Sequence, residues 1–283
     1  MLTALAPAKL NLTLHVTGQR DDGYHLLDSL VVFADASDTL TFRPAPDLRL
    51  TVTGPFAEGV PTDHTNLIIR AADLLRRMRG VTAGADITLE KQLPHAAGIG
   101  SGSSDAATTL KALAQMWDVP PLPFTAPEVA LLGADVPVCV AGPAPQRMRG
   151  IGEDLSTLPT LPTCAAVLVN PRVAVPTMAA FDRLSTKTNA AMDQVPAGLD
   201  FSGFAAWLSQ QRNDLQAAAA DLVPEIARAT ERLDKQPAVA WTGMSGSGAT
   251  CVALVTDMAA ARQVARVIQV AEMGWWVTPA NIM

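Results

Sequence analysis

The order of the secondary-structure patterns in the second half of the chain restricts the fold more than any other feature of the sequence. Its strands and helices are predicted at 165–169, 177–235, 238–242, 250–256, 258–271 and 275–278. With the helices of 177–235 counted as one group, the order is β-α-β-β-α-β, which is the split βαβ arrangement. This half of the chain is therefore predicted to form an α+β domain.

The first half of the chain also mixes strands and helices. Apolar residues occupy every second position from Leu10 to Val16, which predicts a half-buried strand. Helical spacing of apolar residues predicts one helix over 66–79, ending at Gly80, and another over 103–117. Further strands are predicted at 28–34, 38–43, 48–53 and 85–90.

Two short segments follow the second predicted helix. Thr125 and Glu128 match a Thr-x-x-Glu capping box, which predicts a short helix that continues up to Gly133. The run from Asp135 to Val140 has the pattern of a turn that leads into a buried strand.

The length of the chain and a proline-rich stretch predict two domains. A chain of 283 residues is long enough for two domains at about 150 residues each. Prolines that mark the join between them stand at 143, 145, 159 and 162. We therefore expect an α+β protein with an N-terminal domain over 1–155 and a C-terminal domain over 156–283.

Composition and charge exclude several functional classes. A net charge of -6 argues against binding to nucleic acid, and lysine is too scarce to form a basic patch for a membrane surface. The sequence has neither a signal-like start nor an apolar run of about 18 residues, so we expect no membrane span. Cys139, Cys164 and Cys251 fit neither a disulfide framework nor a zinc spacing, which indicates a reducing, cytoplasmic compartment.

The segment 93–107 contains the strongest candidate for a binding site. Glycines at 98, 100 and 102 leave a loop with few side chains, so that its backbone N–H groups could approach an anion. The helix that follows would add the positive end of its dipole, which attracts phosphate. An ordinary connector between a strand and a helix is the alternative. The two familiar phosphate-loop patterns, Gly-x-x-x-x-Gly-Lys-Ser/Thr and Gly-x-Gly-x-x-Gly, do not match, so backbone dipoles and hydroxyls would hold the anion.

Other motifs allow both a functional and a structural interpretation. The glycine cluster 243–249 is longer than a tight hairpin requires, so a loop that faces a site competes with a simple turn. Asp135 and Lys9 each stand among apolar residues. A Lys–Asp pair across a site would satisfy both charges, but a turn aspartate and a lysine that extends its ammonium to water would do so as well.

The Tyr24–His25 pair could stack on a planar ligand and hydrogen-bond to its edge, or could simply pack at the end of a strand. The other histidines, His15, His64 and His95, show no ligand-like spacing. We therefore predict no metal site made of protein side chains.

The motifs, taken in order, resemble those of the GHMP small-molecule kinase superfamily. They comprise 7–12 (Pro-Ala-Lys-Leu-Asn-Leu), 23–25 (Gly-Tyr-His), 66–67 (Asn-Leu), 93–107, 133–137 (Gly-Ala-Asp-Val-Pro) and 244–248 (Met-Ser-Gly-Ser-Gly). The resemblance covers nearly the whole chain. It implies an ATP-binding N-terminal domain like ribosomal protein S5 and a ferredoxin-like C-terminal domain, with the site in the cleft between them.

The same resemblance implies a reaction and a set of site residues. ATP, carrying Mg²⁺, would phosphorylate the 2-hydroxyl of a cytidine diphosphate derivative of methylerythritol, in isoprenoid precursor biosynthesis, with Lys9 and Asp135 as catalytic residues. The residues implied for ATP are Pro94, His95, Ala96, Ala97, Gly98, Ile99, Gly100, Ser101, Gly102, Ser103, Ser104 and, near the adenine, Asn66. Those implied for the substrate are Asn11, Tyr24, His25, Thr177, Phe181, Gly246 and Gly248.

The loop departs from the pattern of the superfamily at three positions. Ala96 and Ser101 stand where glycine is usual, and Ile99 replaces leucine. Because alanine and serine disfavour a positive φ, we expect a reshaped loop and weaker nucleotide binding. Two alternatives remain: a kinase of the superfamily that acts on homoserine or a mevalonate-like alcohol, and a nucleotide-binding module without activity. We expect neither nucleic acid nor a membrane as partner.

Overall fold

The computed structural model describes residues 1–283, which divide into two compact units built from separate stretches of chain. Unit 1 comprises Met1–Ala8, Ser37–His95 and Gly100–Pro143. Unit 2 comprises Lys9–Ala36, Ala96–Ile99 and Ala144–Met283. Because these units are interleaved along the chain, they do not test a single boundary between two domains. The domain boundary expected after residue 155 therefore stays a prediction. No helix is long and apolar enough to cross a membrane.

Unit 1 packs helices against paired strands. Its strands are the start of β1 (Leu2–Asn11), the second part of β3 (His25–Ala45), β4 (Leu48–Thr53) and β5 (Gly84–Glu90). β5 pairs in parallel with β4 and antiparallel with β3. Its helices are α1 (Leu67–Arg79), α2 (Ser101–Met116), α3 (Pro127–Ala130) and α4 (Val136–Ala141). The core of this unit includes Phe42, Ile87, Leu75 and Leu110, all at most 1% exposed.

Unit 2 contains an antiparallel four-stranded sheet in the order β11-β8-β10-β9. These strands are β8 (Ala165–Asn170), β9 (Trp241–Met244), β10 (Cys251–Val255) and β11 (Trp276–Asn281). The helices are α5 (Thr177–Asp182), α6 (Phe201–Leu208), α7 (Gln216–Leu222), α8 (Glu225–Asp234) and α9 (Met258–Ala271). If these four strands are numbered 1 to 4 along the chain, their order in the sheet is 4-1-3-2, which is that of a ferredoxin-like domain. The split βαβ prediction is therefore confirmed.

The rest of unit 2 is a second set of paired strands. The first part of β3 pairs with β2 (His15–Gln19) and with β6 (Gln146–Gly150), and β6 pairs with β7 (Asp154–Thr157). The β6–β7 hairpin was not expected, because it lies in the stretch whose prolines marked a linker. Gly150 and Gly152, with φ of 70° and 115°, allow the chain to turn between the two strands.

The predicted half-buried strand from Leu10 to Val16 is wrong in two respects. The strand is interrupted, since β1 ends at Asn11 and β2 begins at His15. The polar positions between the leucines are buried as well: Thr13 is 0% exposed. The reason is that Thr13 accepts a hydrogen bond from the backbone N–H of Leu30 and donates one to Met192 Sδ.

The predicted strands 28–34 and 38–43 form one continuous strand, β3. The aspartates in this region, Asp35 and Asp38, form hydrogen bonds with distant backbone. Asp35 accepts a hydrogen bond from the backbone N–H of Asn281, and Asp38 accepts from those of Gln92 and Leu93.

The predicted turn and buried strand at 135–140 is wrong, because these residues form helix α4. Pro137 stands in the first helical turn, where its missing N–H costs no hydrogen bond. The apolar run has no clear helical or strand period, so its sequence suits either element. Packing decides for the helix, in which Val136 and Val138 are buried. The capping box at Thr125 is also wrong, because the residue that caps α3 is Ala126 and no side chain bonds the helix end.

Candidate active site

The glycine-rich loop 94–104 connects β5 to helix α2. The helix begins at Ser101, two residues earlier than predicted, and is capped by Gly100, whose φ of 56° lies in the left-handed region. No side chain caps the first turn of α2, and the turn contains no acidic residue. Its backbone N–H groups and the positive end of the helix dipole are therefore available to an anion.

Two residues near the ends of this loop form part of its framework. Ser101 is 4% exposed, and its Oγ donates to the backbone oxygen of Pro94 at 3.2 Å. This bond joins the start of the loop to the first turn of α2 within unit 1. Ala96 adopts a φ of 51°, a conformation that favours glycine. The expectation that Ala96 would avoid a positive φ is therefore wrong.

Within unit 2, the stretch 96–99 lies against the second glycine cluster. The Ser245 hydroxyl donates to the backbone oxygen of Gly98 at 2.8 Å, and the Thr250 hydroxyl donates to that of Ala97 at 2.6 Å. A Cβ on Gly98 would lie 2.4 Å from the backbone oxygen of Ser245, and one on Gly246 would lie 2.9 Å from that of Gly98. The cluster 243–249 is thus more than a hairpin turn, because it supports the glycine loop.

Asn213 holds this second cluster in place and was not singled out by the sequence. Its Nδ2 donates to the backbone oxygens of Met244 and Gly246, both at 2.8 Å. Thr250 was missed in the same way. Ser245 lies inside the cluster 243–249, but its contact with Gly98 was not predicted. Nothing local in the sequence marks these contacts, because the partners lie far apart along the chain.

Lys9 and Asn11 begin a buried hydrogen-bonded network in unit 2. Lys9 is 3% exposed, and its Nζ donates to Asn11 Oδ1 at 2.8 Å. Asn11 Nδ2 donates to Ser29 Oγ at 2.7 Å, while the Asn11 backbone N–H donates to Ser245 Oγ at 3.0 Å. The interpretation of Lys9 as a lysine extended into water is wrong. The network links the lysine to the loop that supports Gly98.

Asp135 lies at the start of helix α4 in unit 1 and is partly buried. Its backbone oxygen accepts from the Cys139 N–H at 3.2 Å, and its side chain makes no hydrogen bond to the helix end. At the other end of α4, Lys111 Nζ donates to the backbone oxygens of Cys139 and Gly142. Both ends of this short helix are thus fixed by backbone and lysine contacts.

His25 and Phe181 form a pair of stacked rings in unit 2. Their centroids are 4.4 Å apart and the ring planes differ by 17°. The Nε2 atom of His25 is buried and has no hydrogen-bond partner. Burial, with the nearby positive charge of Lys187, lowers the pKa of His25, so the imidazole is neutral near pH 7. The adjacent Tyr24 is 59% exposed.

The remaining site residues implied by the resemblance have diverse surroundings. The Thr177 hydroxyl lies 2.9 Å from that of Ser247, which ties α5 to the second glycine cluster. Gly248 packs close to Met244 and Ile226, where a Cβ would be 2.7 Å from the sulfur. Asn66 caps α1: its Oδ1 accepts from Ile68 N–H, and its Nδ2 donates to a backbone oxygen. Its role near an adenine stays a prediction.

The fold and the loop define the class of protein. A model of the GHMP kinases N terminal domain matches residues 66–144, and a model of the GHMP kinases C terminal domain matches 192–271. The chain belongs to the GHMP kinase family, and it is therefore an ATP-dependent small-molecule kinase.

Individual relatives narrow the identification within that family. A protein of Cereibacter sphaeroides is 51% identical over 100% of both chains, and one of Ruegeria pomeroyi is 49% identical over 100% of this chain and 99% of its own. Both are named 4-diphosphocytidyl-2-C-methyl-D-erythritol kinase. A crystal structure of 4-(cytidine 5'-diphospho)-2C-methyl-D-erythritol kinase superposes with a TM-score of 0.80, at 31% identity and 99% coverage of both chains.

More distant structures share only the fold. A homoserine kinase from Cytophaga hutchinsonii superposes with a TM-score of 0.73 at 18% identity, over 100% of this chain and 94% of the other. The ribosomal-protein-S5-like and ferredoxin-like architecture implied by the resemblance is confirmed by the family models and by the closely matching kinase structure.

Proposed function

We propose that the chain phosphorylates the 2-hydroxyl of 4-diphosphocytidyl-2-C-methyl-D-erythritol with ATP, in the non-mevalonate route to isoprenoid precursors. The observation that carries the proposal is the pair of stacked rings, His25 and Phe181, with a buried imidazole nitrogen that has no partner. A planar base such as cytosine offers polar edge groups to that nitrogen. Homoserine and mevalonate have no such ring. The names of the full-length relatives support the same substrate.

The phosphoryl transfer is a direct displacement. The 2-hydroxyl oxygen forms a bond to the γ-phosphorus of ATP, the bond from that phosphorus to the β-phosphate oxygen breaks, and ADP leaves. We assign the hydroxyl proton to the carboxylate of Asp135. Lys9 would offset the negative charge that gathers near the acceptor oxygen. Alignment and charge stabilisation supply most of the rate enhancement in such reactions.

The triphosphate would lie against the loop 94–104. Gly98, Gly100 and Gly102 let the backbone approach it closely, and α2 adds its N-terminal N–H groups. Asn66 is proposed for the adenine side. On the acceptor side we propose Tyr24 and His25, with Asn11, Thr177, Phe181, Gly246 and Gly248.

Mg²⁺ is proposed to arrive with ATP. No group of three or more His, Cys, Asp or Glu residues could hold a metal ion. Mg²⁺ commonly keeps several waters and is held largely by substrate phosphates, with few protein ligands. The Ser104 hydroxyl, in the first turn of α2, could supply one such protein ligand. The loop and the start of α2 therefore fit an ion that comes with the nucleotide. When bound, the ion would neutralise charge on the β- and γ-phosphates.

The compartment and the domain boundary belong to the same proposal. Cys139, Cys164 and Cys251 are buried and form no disulfide, which is consistent with the cytoplasm, where thiols stay reduced. Division into an ATP-binding domain over 1–155 and a substrate domain over 156–283 is proposed on the basis of the family's two-part architecture.

A panel of acceptors tests the proposed function. The purified chain is incubated with ATP, Mg²⁺ and either the diphosphocytidyl substrate, homoserine or mevalonate, and ADP release is followed with a coupled assay. Phosphorus NMR identifies the new phosphomonoester. We expect turnover with the diphosphocytidyl substrate only. Turnover of another alcohol would assign the chain to a different GHMP activity, and ATP binding without any transfer would make it a non-catalytic module.

A further inference from the structure

Unit 1 contains a buried ion triad made of Asp38, Lys91 and Asp105. Lys91 Nζ donates to Asp38 Oδ2 and to Asp105 Oδ2, both at 2.6 Å. The three residues are 0%, 2% and 3% exposed. None of them is among the residues that the resemblance implies for the site.

The position of the triad along the chain relates it to the glycine loop. Lys91 lies three residues before Pro94, and Asp105 directly follows Ser104 in the first turns of α2. Asp38 Oδ1 also accepts the backbone N–H groups of Gln92 and Leu93, at 2.7 and 2.8 Å. The triad therefore ties the residues that enter the loop to the residues that leave it.

The triad has two carboxylates for one ammonium, and the second carboxylate is not needed to stabilise the fold. Asp38 alone neutralises Lys91 and accepts three hydrogen bonds. Asp105 adds a second carboxylate, and its Oδ1 is buried without a hydrogen-bond partner. An extra buried charge lowers stability, because its loss of hydration is not fully repaid. A role other than stability would account for a second carboxylate at this position.

We propose that Asp105 and Lys91, supported by Asp38, are positioning residues that fix the two ends of the glycine loop for the triphosphate of ATP. The inference rests on the proposed role of that loop in ATP binding. The ion pair between Lys91 and Asp105 and the bond from Ser101 Oγ to the Pro94 oxygen both join the chain that enters the loop to helix α2. Ionised Asp105 would keep the first turn of α2 in register with the chain that enters the loop.

The protonation state of Asp105 makes this proposal testable by pH. Burial raises the pKa of Asp105 to about 7, against the opposing effect of Lys91 and with a further rise from Asp38. The charged groups that act on Asp105 are these two, Lys91 from the end of β5 and Asp38 from β3. Asp105 is therefore mostly ionised above this pKa and mostly protonated below it. At pH 6 an asparagine in its place resembles the native side chain.

The test compares Asp105→Asn with the wild type at both pH values. The readout is the Kd for a non-hydrolysable ATP analogue with Mg²⁺, measured by calorimetry, together with the KM for ATP. We expect the variant to bind the analogue on the order of tenfold more weakly at pH 8, and to match the wild type within about twofold at pH 6. The ratio between the two proteins cancels the titration of the nucleotide itself.

Controls separate positioning from damage to the fold. Asp86→Asn removes an exposed carboxylate from β5 in the same unit and should change neither readout. At pH 8, thermal unfolding should show Asp105→Asn to be as stable as the wild type or more so. An equal loss of affinity at both pH values, or no loss at pH 8, would overturn the proposal. Because analogue binding needs no acceptor, this outcome is independent of whether the wild type phosphorylates the proposed substrate.

Discussion

At the scale of single residues, the burial of Lys9 determines which groups its ammonium can contact. An ammonium group that is 3% exposed has lost most of its hydration, and it bonds to a neutral amide oxygen of Asn11. The amide orients the ammonium group. The role proposed for Lys9 in the phosphoryl transfer would use the charge of this oriented ammonium.

Asp135→Asn should lower kcat by about a hundredfold or more, the order expected when a general base is lost. The asparagine keeps the size of the side chain and the backbone bond from Cys139, so folding should be unchanged. Coupled ADP detection measures kcat, and thermal unfolding checks the fold. Asp86→Asn, an exposed change in the same unit, serves as the control. Near-normal turnover in a folded variant would remove Asp135 from this role.

Phe181→Ala should raise the KM for the diphosphocytidyl substrate by about tenfold, because it removes a ring that stacks on His25. The KM for ATP should stay the same. Steady-state kinetics with each substrate varied in turn measure both constants. Met178→Ala, on the same helix but 76% exposed, is the matched control. If only the KM for ATP rises, the proposed location of the cytosine is wrong.

Ala96→Gly should stabilise the protein, because alanine with a φ of 51° carries the steric cost of the left-handed region. That cost is roughly 1–2 kcal/mol, and the added freedom of glycine in the unfolded chain offsets part of it. We expect a net gain of up to about 1 kcal/mol in the free energy of unfolding, measured with urea. Ala97→Gly should instead destabilise, since Ala97 is buried and has no positive φ.

At the scale of elements, local signals predicted some boundaries to the residue. Helix α1, predicted over 66–79, is Leu67–Arg79 with Asn66 as its cap, and it ends at Gly80 as predicted, because the cap at each end is formed by residues close in sequence. Helix α9 begins after Asp257, whose side chain accepts from the Ala260 N–H, and its predicted bounds are also confirmed. In both helices, one short stretch of sequence contains the apolar face and the residues at which the helix begins and ends.

Other elements depend on contacts that no short stretch encodes. The apolar run 136–140 suits a strand or a helix, and only its packing in unit 1 decides for α4. The contact between Gly98 and Ser245 joins residues 147 positions apart. The sequence therefore predicted two separate glycine clusters as candidates, but not that one supports the other. The catalytic and binding roles assigned to the site residues stay predictions.

Gly98→Ala should disturb the contact between the two glycine clusters. A Cβ would lie 2.4 Å from a backbone oxygen, and Gly98 has a φ of 75°, so steric overlap adds to backbone strain. We expect a loss of about 2 kcal/mol or more in the free energy of unfolding, from denaturant titration. Gly102→Ala is the matched comparison: its Cβ would meet only Leu67, at 3.7 Å, and within α2 it should leave stability unchanged or raise it slightly. Equal losses in the two variants would contradict this account.

At the scale of the whole molecule, Asp105 should make stability depend on pH. Its pKa is raised from 3.8 to about 7 by burial, so between these values the folded protein holds a proton that the unfolded chain releases. The contribution of Asp105 to stability is therefore present at low pH and lost as the pH rises through about 7. Urea unfolding should show that the wild type loses more than about 1 kcal/mol relative to Asp105→Asn between pH 5 and pH 8. A constant difference across that range would contradict the shift.

Because each unit is built from separate stretches of the chain, the fold restricts which recombination events between related genes preserve a whole unit. β1 leaves unit 1 after Ala8, and β3 returns to it after Ala36. A fragment that starts at residue 144 would lack β2 and the portion of β3 that pairs with β6. A single crossover between related genes would likewise exchange pieces of both units at once. Recombination at one breakpoint therefore cannot exchange one unit without exchanging part of the other.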